Sequence, residues 1–77
     1  MNQKEKSDKR LIQSIQRAED IMALFIEEKH TLGISDFSRR LGLPKTTIQG
    51  IVNTLAELRY LEQDPLTSRY RLGARLY

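Results

Sequence analysis

The residues best suited to molecular recognition lie in one polar stretch near the middle of the chain. Gln49 and Asn53 each carry a carboxamide, which can pair with the N6 and N7 atoms of adenine in a bidentate fashion. Lys45, Thr46 and Thr47 come just before them and offer an ammonium group and two hydroxyls, which suit phosphate oxygens. The spacing of four between the two amides places both on one side of an α-helix. This stretch therefore has the chemistry to contact a polyanion that displays bases.

Apolar residues in the same stretch predict the helix that would position these groups. They recur at a period near 3.6, which defines a buried stripe: Ile48, Ile51, Leu55 and Leu58. The side opposite this stripe carries Thr46, Gln49, Gly50, Asn53 and Glu57. Glu57 lies far along the helix and has the wrong charge for phosphate, so we exclude it as a contact.

A shorter helix and a tight turn precede this one. Phe37 and Leu41 are four residues apart and form its inner face, and Ser35 is the expected N-cap. Gly42 tolerates the positive φ of a reversal, and Pro44 suits the first turn of the following helix. The combination indicates a helix-turn-helix. The alternative is an ordinary αα-hairpin in a small bundle.

The first helix is predicted from Ser14 to about Glu28, with a wide apolar face. Its apolar residues recur every three or four positions, with others flanking them: Ile12, Ile15, Ala18, Ile21, Met22, Phe25 and Ile26. Such breadth favours either a second copy of the chain packing on this face or burial of the whole face in one internal core. Residues 1–13 are assigned to a flexible N-terminal arm, because residues 1–10 have no apolar period.

The C-terminal third reads as strand, turn and strand, at residues 60–63, 64–68 and 69–72. Alternation places Tyr70 and Leu72 inward and both Arg69 and Arg71 outward, which makes a basic wing. The predicted fold class is mainly α with a small β-hairpin, a three-helix winged helix-turn-helix over residues 14–72.

Composition limits the function classes. A chain of 77 residues makes one small domain, which buries only about 60% of its unfolded surface. The chain has no cysteine, so disulfide frameworks and thiolate metal sites are excluded. No apolar run is long enough for a membrane span or a signal peptide, so we expect a soluble, cytoplasmic protein with no membrane partner.

Charge is distributed unevenly along the chain. Residues 1–38 hold six basic and seven acidic side chains, whereas residues 39–77 hold seven and three, a net −1 against +4. The basic excess lies with the predicted second helix of the motif and the wing, where a polyanion would dock.

These residues resemble the IclR-type bacterial transcription regulators. The resemblance runs from Ser14 to Tyr77 and rests on Ser-Ile-Gln-Arg-Ala from Ser14, Leu-Gly-Leu-Pro-Lys-Thr-Thr-Ile from Leu41, Thr-Leu-Ala-Glu-Leu from Thr54, and Arg-Tyr-Arg-Leu-Gly from Arg69. It implies a DNA-binding domain that acts as a homodimer on a double-stranded operator at the bacterial nucleoid. It also implies a C-terminal domain, outside this chain, that senses a small-molecule effector. Residues 73–77 would then begin the linker helix to that domain.

The resemblance and the helical geometry together predict the DNA-contacting residues. They are Ser35, Lys45, Thr46, Thr47, Gln49, Gly50, Asn53, Thr67, Ser68, Arg69 and Arg71. Three positions depart from the family pattern. Gly50 replaces a larger, often basic residue, so one contact is missing. Arg59 and Ser68 stand where glycine is usual, so we expect strain at the end of the helix and a different turn type in the wing.

Other function classes have less support. His30 is the only histidine and lies in a polar turn, so no metal, no cofactor and no enzymatic activity are expected. RNA binding is disfavoured because the chain has no row of exposed aromatics for stacking bases. The main rival is a winged helix that binds another protein, since this fold does not fix function.

Overall fold

Three helices and a two-stranded antiparallel hairpin make up the computed structural model, which describes residues 11–28 and 30–76. Helix α1 spans Gln13–Glu27, α2 Ile34–Leu41 and α3 Lys45–Glu57; strands β1 (Leu61–Gln63) and β2 (Tyr70–Leu72) form the hairpin, and a short 3-10 helix covers Ala74–Leu76. This is the predicted winged helix-turn-helix. Most of the predicted arm, residues 1–10, lies outside the described residues, as does Tyr77.

The core lies where the three helices meet the inner face of the hairpin. Its members share nearly complete burial: Ile21, Phe25, Leu32, Phe37, Ile48, Val52, Leu55, Leu61 and Tyr70. Phe37 is central, with ring-centroid distances of 5.9 Å to Phe25 and 6.5 Å to Tyr70. Tilted aromatic pairs at these distances add to the apolar burial that stabilises the domain.

Two helical stripes differ from the sequence prediction. On α3 the predicted Leu58 is 47% exposed, and Val52, which the prediction omitted, is fully buried. On α1 Ile21 is fully buried while Ile15 is 67% exposed. A periodic pattern shows which side of a helix is apolar, but not which part of that side is buried. In both helices the core contacts one edge of the apolar side and not its middle.

The start of α2 corrects one prediction. The N-cap is Gly33, not Ser35, which is exposed at the second helical position. The backbone N–H of Gly33 donates to Asp36 Oδ2 at 2.8 Å, so the carboxylate at the third helical position fixes this end. Pro44 likewise stands one residue earlier than predicted, as the N-cap of α3.

The turn between α2 and α3 follows the prediction. Gly42 has φ 67 and ψ 32, the left-handed conformation that glycine adopts without a Cβ penalty. The N–H groups of Gly42 and Leu43 both donate to the Ser38 carbonyl, at 2.8 and 3.3 Å, and Ser38 Oγ donates to the Leu43 carbonyl at 2.6 Å. These bonds hold the two helices of the motif in a fixed relation.

The end of α3 is closed by a strained residue and a close backbone approach. Arg59 has φ 73, so the helix end is closed by a left-handed arginine at a cost of about 1 kcal/mol, and the departure from glycine does produce strain here. Gly73 lies against it, and a Cβ added there would meet the Arg59 carbonyl oxygen at 2.4 Å. The N–H of Gly73 donates to Tyr60 O at 2.8 Å, so the chain after the hairpin is fastened to the end of α3.

The wing is short and internally bonded. Leu61 pairs with Leu72, Glu62 with Arg71 and Gln63 with Tyr70. Leu32 also exchanges backbone bonds with Tyr70, at 2.9 and 2.8 Å, which ties the segment before α2 to β2. Ser68 has φ 64, the left-handed conformation that glycine adopts most readily. The sequence predicts a different type of turn here because serine stands where glycine is usual.

Candidate nucleic-acid interface

The outer face of α3 presents the predicted polar residues to solvent. Thr46, Gln49, Gly50 and Asn53 are exposed, as is Lys45 at the start of the helix. Thr47 is half-buried. The fully buried Ile48 and Val52 anchor the opposite side of the same turns. A rigid helix thus holds a polar face outward from a packed core.

Gln49 and Asn53 are joined to each other. Gln49 Nε2 donates to Asn53 Oδ1 at 2.8 Å. A carboxamide has two N–H groups and two lone pairs, so each side chain keeps a donor and an acceptor for another partner. The bond limits the rotamers of two exposed side chains, and they are oriented together.

The first turn of α3 suits an anion. In the described part of the chain, Pro44 makes no side-chain cap bond and the first turn of α3 has no acidic residue. The backbone N–H groups of this turn thus have no side-chain partner in the described structure. They lie at the positive end of the helix dipole, beside Lys45. The first turn of α2 differs, because Asp36 already occupies it.

Gly50 faces open space. A Cβ added there would meet no atom within 4 Å outside the local helix. Within the free chain, no steric contact therefore requires glycine at this position.

The wing presents a mixed surface. Thr67 and Ser68 are exposed near its tip, and Leu66 between Pro65 and Thr67 is 92% exposed. Arg71 points outward as predicted, with its Nε 3.4 Å from Glu62 Oε1 on the paired strand. Ion pairs this exposed are weak and exchange partners readily, so Arg71 is accessible to another anion.

Arg69 lies in a different environment from the one predicted. Its guanidinium turns toward α2 and makes three bonds: Nε to Thr31 Oγ1 at 2.9 Å, Nη2 to the Thr31 carbonyl at 2.9 Å, and Nη2 to Asp36 Oδ2 at 3.0 Å. The Arg69 side chain is still 43% exposed, so both wing arginines lie on the outer side of the wing, but the guanidinium of Arg69 bonds back to the protein.

Asp36 accepts charge-assisted bonds from three residues. The pKa of the Asp36 carboxyl lies below its ordinary value because the Gly33 N–H, the Arg39 guanidinium and the Arg69 guanidinium favour its charged form. Partial desolvation opposes this shift. The bond from the Gly33 N–H is the largest contribution. The carboxylate is thus charged and fixed at the junction of the wing with α2.

The basic excess is partly compensated by carboxylates. Four of the seven basic side chains in residues 39–77 form ion pairs: Arg39 and Arg69 with Asp36, Arg40 with Glu27, and Arg71 with Glu62. The surface of residues 39–77 is therefore less basic than the sequence count suggests.

An apolar groove runs between α1 and α3, next to this polar face. Its lining includes Ile15, Ala18, Thr47, Ile51, Thr54 and Leu58. Leu11, Ile12 and Ile26 extend the exposed apolar surface along α1, at 70%, 63% and 76% exposure. Of the two predictions for the wide face of α1, complete burial in an internal core is therefore wrong for the described residues.

Sequence reasoning missed the partners of Arg69. The sequence does indicate that Asp36 caps a helix, because a carboxylate three residues after Gly33 fits the third helical position of a capping box. Nothing local pairs Arg69 with Thr31, which is 38 residues away. His30 is exposed, and the described residues hold no group of three histidine, aspartate or glutamate side chains arranged for a metal.

None of the described helices combines the length and the apolar character that crossing a membrane requires.

The chain matches a protein-family model. Residues 14–65 fit the sequence model of the IclR helix-turn-helix domain. The chain is 41% identical over 66 residues to the HTH-type transcriptional regulator XynR of Escherichia coli (strain K12), covering 86% of this chain and 26% of that protein. It is 43% identical over 67 residues to the glycerol operon regulatory protein of Streptomyces coelicolor, covering 87% and 26%.

Solved structures agree with these sequence matches. An IclR family transcriptional regulator from Brucella abortus superposes with a TM-score of 0.80 at 30% identity, over 86% of this chain and 25% of that one. An IclR transcriptional regulator from Alicyclobacillus acidocaldarius gives 0.82 at 28% identity, over 87% and 27%. The chain thus spans about a quarter of the length of the relatives it matches.

Proposed function

The chain belongs to the IclR family of helix-turn-helix transcriptional regulators, and from that membership we propose that it binds a specific double-stranded operator through the outer face of α3. The family's helix-turn-helix domain implies DNA binding. The more specific proposal is that α3 enters the major groove and that Gln49 and Asn53 read base edges there.

The bonded amide pair is the observation that carries this proposal. Gln49 and Asn53 are exposed, oriented by their mutual bond and placed on a helix whose other side is buried. Side chains restricted in this way lose less freedom on binding than unrestricted ones. Both amides suit adenine, so the operator is expected to lean toward A·T at the positions they reach.

Backbone contacts complete the proposed interface. Lys45, Thr46, Thr47 and the first-turn amides of α3 are assigned to phosphates, where they set register and not sequence. Gly50 lets the backbone of α3 approach the bases. Ser35 on α2, and Thr67, Ser68 and Arg71 on the wing, are assigned to flanking DNA. Their exposure supports this assignment.

The proposal extends to a homodimer on a two-fold related operator. The exposed apolar surface of α1 supports it, because apolar patches of this kind mark contacts with other chains. A small-molecule effector would act through a domain outside these residues, and residues 73–77 are assigned to the start of the linker helix that leads to it. The protein would work in the bacterial cytoplasm, at the nucleoid, and would not be an enzyme.

Selection from a random duplex pool at two salt concentrations tests operator binding. We expect enrichment of a (pseudo)palindromic motif. Gln49→Ala or Asn53→Ala should weaken binding to it by about 1–3 kcal/mol. Affinity should fall roughly a thousandfold or more between 50 and 200 mM salt if six or more phosphates are contacted.

Gln16→Ala is the matched control. Gln16 is also an exposed helical glutamine, and its Nε2 donates to Asp20 Oδ1 at 3.1 Å four residues on, but it lies on α1. This variant should leave the motif and the affinity unchanged. Salt-sensitive binding without a motif would contradict specific recognition by α3, and loss of all binding with the fold intact would favour a protein-binding winged helix.

A further inference from the structure

The two wing arginines occupy different environments, although both lie on or beside β2. Arg71 makes one ion pair at 3.4 Å with an exposed carboxylate, and both side chains remain about half exposed. Arg69 is nearly as exposed, at 43% of its side chain, but it makes three bonds at 2.9–3.0 Å to Thr31 and Asp36, and the Asp36 side chain is only 20% exposed. These bonds use the Nε–H and both Nη2 N–H groups, so only Nη1 is left to donate, and a forked contact from Arg69 to a phosphate through Nε and Nη2 would require breaking them.

These bonds join three parts of the fold. Thr31 precedes the bridge between Leu32 and Tyr70, Asp36 lies in the first turn of α2, and Arg69 immediately precedes β2. Leu32 and Tyr70 are both buried and exchange backbone bonds beside the cluster. The side-chain bonds and the bridge thus lie next to each other at the joint where the wing meets the helix-turn-helix.

We propose that Arg69 is a positioning residue: with Thr31 and Asp36 it fixes the wing relative to α2 and α3, and it does not contact DNA. We call these three residues the wing brace. The inference rests on the proposed function for its effect on DNA, and it replaces the expectation from sequence that Arg69 touches the operator.

The shape of the guanidinium explains why this position needs arginine. Its planar group directs Nε and Nη2 at three acceptors at once, the Thr31 hydroxyl, the Thr31 carbonyl and the Asp36 carboxylate. A lysine ammonium keeps the charge but is a single point donor on a flexible stem. A phosphate contact tolerates that exchange far better than this cluster does.

Arg69→Lys therefore separates the two roles. If Arg69 holds the wing brace, Arg69→Lys and Arg69→Gln lower operator affinity by a similar factor, about fivefold or more, and the slope of log Kd against log[salt] stays that of the wild type. If Arg69 binds phosphate, Arg69→Lys retains nearly full affinity and Arg69→Gln makes the slope shallower by roughly one phosphate contact. The second result would overturn the proposal.

Thr31→Val supplies a second, uncharged test. It removes the hydroxyl that accepts from Arg69 Nε and changes little else in volume. We expect it to reproduce part of the Arg69→Lys loss, with hydroxyl-radical protection lost on the DNA beside the wing and kept where α3 binds. Uniform weakening of both footprints, or wild-type footprints with wild-type affinity, would contradict a positioning role.

Arg71→Gln is the matched control for charge, because Arg71 lies two residues further along the same wing. It should make the salt slope shallower while leaving the thermal unfolding midpoint close to that of the wild type. If neither Arg69→Gln nor Arg71→Gln changes the salt slope, the wing binds no phosphate. The operator affinity of Arg69→Lys then decides the role of Arg69: a loss supports the wing brace, and full affinity overturns it.

A double-mutant cycle for Asp36→Asn and Arg69→Gln tests the wing brace without DNA. The two substitutions should be less than additive in the free energy of unfolding, because each removes the same bond. Additive effects would refute the coupling even if the chain bound no DNA at all. Absence of DNA binding by the wild type would instead refute the proposed function and leave this cycle interpretable.

Discussion

At the scale of single residues, two glycines with different surroundings show where the backbone limits the sequence. Gly50 is exposed, on the outer face of α3, with open space where a Cβ would stand. Gly73 is buried against the end of α3, and the Arg59 carbonyl oxygen fills the place of its Cβ. The fold therefore requires glycine at position 73 but not at position 50, where any requirement would come from DNA binding.

Gly73→Ala is expected to destabilise the chain. The added methyl would lie 2.4 Å from a backbone oxygen, which has no side-chain freedom to move away. We expect a loss of about 1–3 kcal/mol in the free energy of unfolding, measured by urea denaturation.

Gly50→Ala serves as the control for that measurement. It adds the same methyl group inside a helix with no nearby atoms, and should stabilise the chain by up to about 1 kcal/mol. Equal stability of the two variants would contradict the close approach at Gly73. Reduced DNA affinity in Gly50→Ala would show that the bare backbone at this position approaches the bases.

At the scale of elements, the carboxylate of Asp36 joins the first turn of α2 to the wing. Its pKa is lowered, so the folded state favours the ionised form more than the unfolded state does. The stabilisation is fully present above the unfolded pKa, near the reference value of 3.8, and is lost as pH falls through the folded pKa.

The pH dependence of stability should therefore differ between the wild type and Asp36→Asn. The difference in free energy of unfolding should be constant from about pH 7 to pH 5 and shrink as the pH falls below about 4, where aspartate ordinarily protonates. Urea denaturation at several pH values measures it. A gap that persists unchanged to the lowest pH at which the chain stays folded would contradict a charged role for Asp36.

Asp20→Asn is the control for this pH series. Asp20 is an aspartate on α1 that accepts one bond from Gln16 and has no ion pair among the described contacts. At pH 7 its substitution should lower the free energy of unfolding less than Asp36→Asn does, because no arginine loses a partner.

At the scale of the whole molecule, the polar face of α3 and the apolar surface of α1 lie on either side of the same groove. Exposed apolar side chains along α1 lower the solubility of a lone domain but stabilise contact with another chain. This arrangement would let one copy bind a half-site while its α1 packs on a second copy.

Ile15→Glu is expected to weaken pairing of two copies on a palindromic operator. Ile15 is 67% exposed, so the change should leave the thermal unfolding midpoint near that of the wild type, while a charge in an apolar contact opposes association. Titration of a duplex with two half-sites should show lower cooperativity and unchanged affinity for a single half-site.

Ile21→Glu distinguishes surface from core on the same helix. Ile21 is fully buried, so this variant should unfold the chain instead of changing its assembly. Unaltered cooperativity in Ile15→Glu would place the dimer contact elsewhere.

The helical periods, the glycine turn after Leu41 and the alternation around Tyr70 were sufficient to predict the winged helix-turn-helix and the exposed face of α3. These features depend on neighbours within a few residues, which a sequence displays directly. The left-handed Gly42 was predicted for the same reason, since helix ends have local signatures.

Only the tertiary structure decided which edge of each apolar stripe is buried, as the exposed Leu58 and the buried Val52 show. It also decided that Arg69 turns from the wing surface to Thr31 and Asp36, and that Gly73 lies against Arg59. Each of these depends on how close two distant segments come once the helices pack. Sequence periodicity fixes the face of an element, whereas packing fixes its rotation and its neighbours, and the partners of a long side chain follow from the packing.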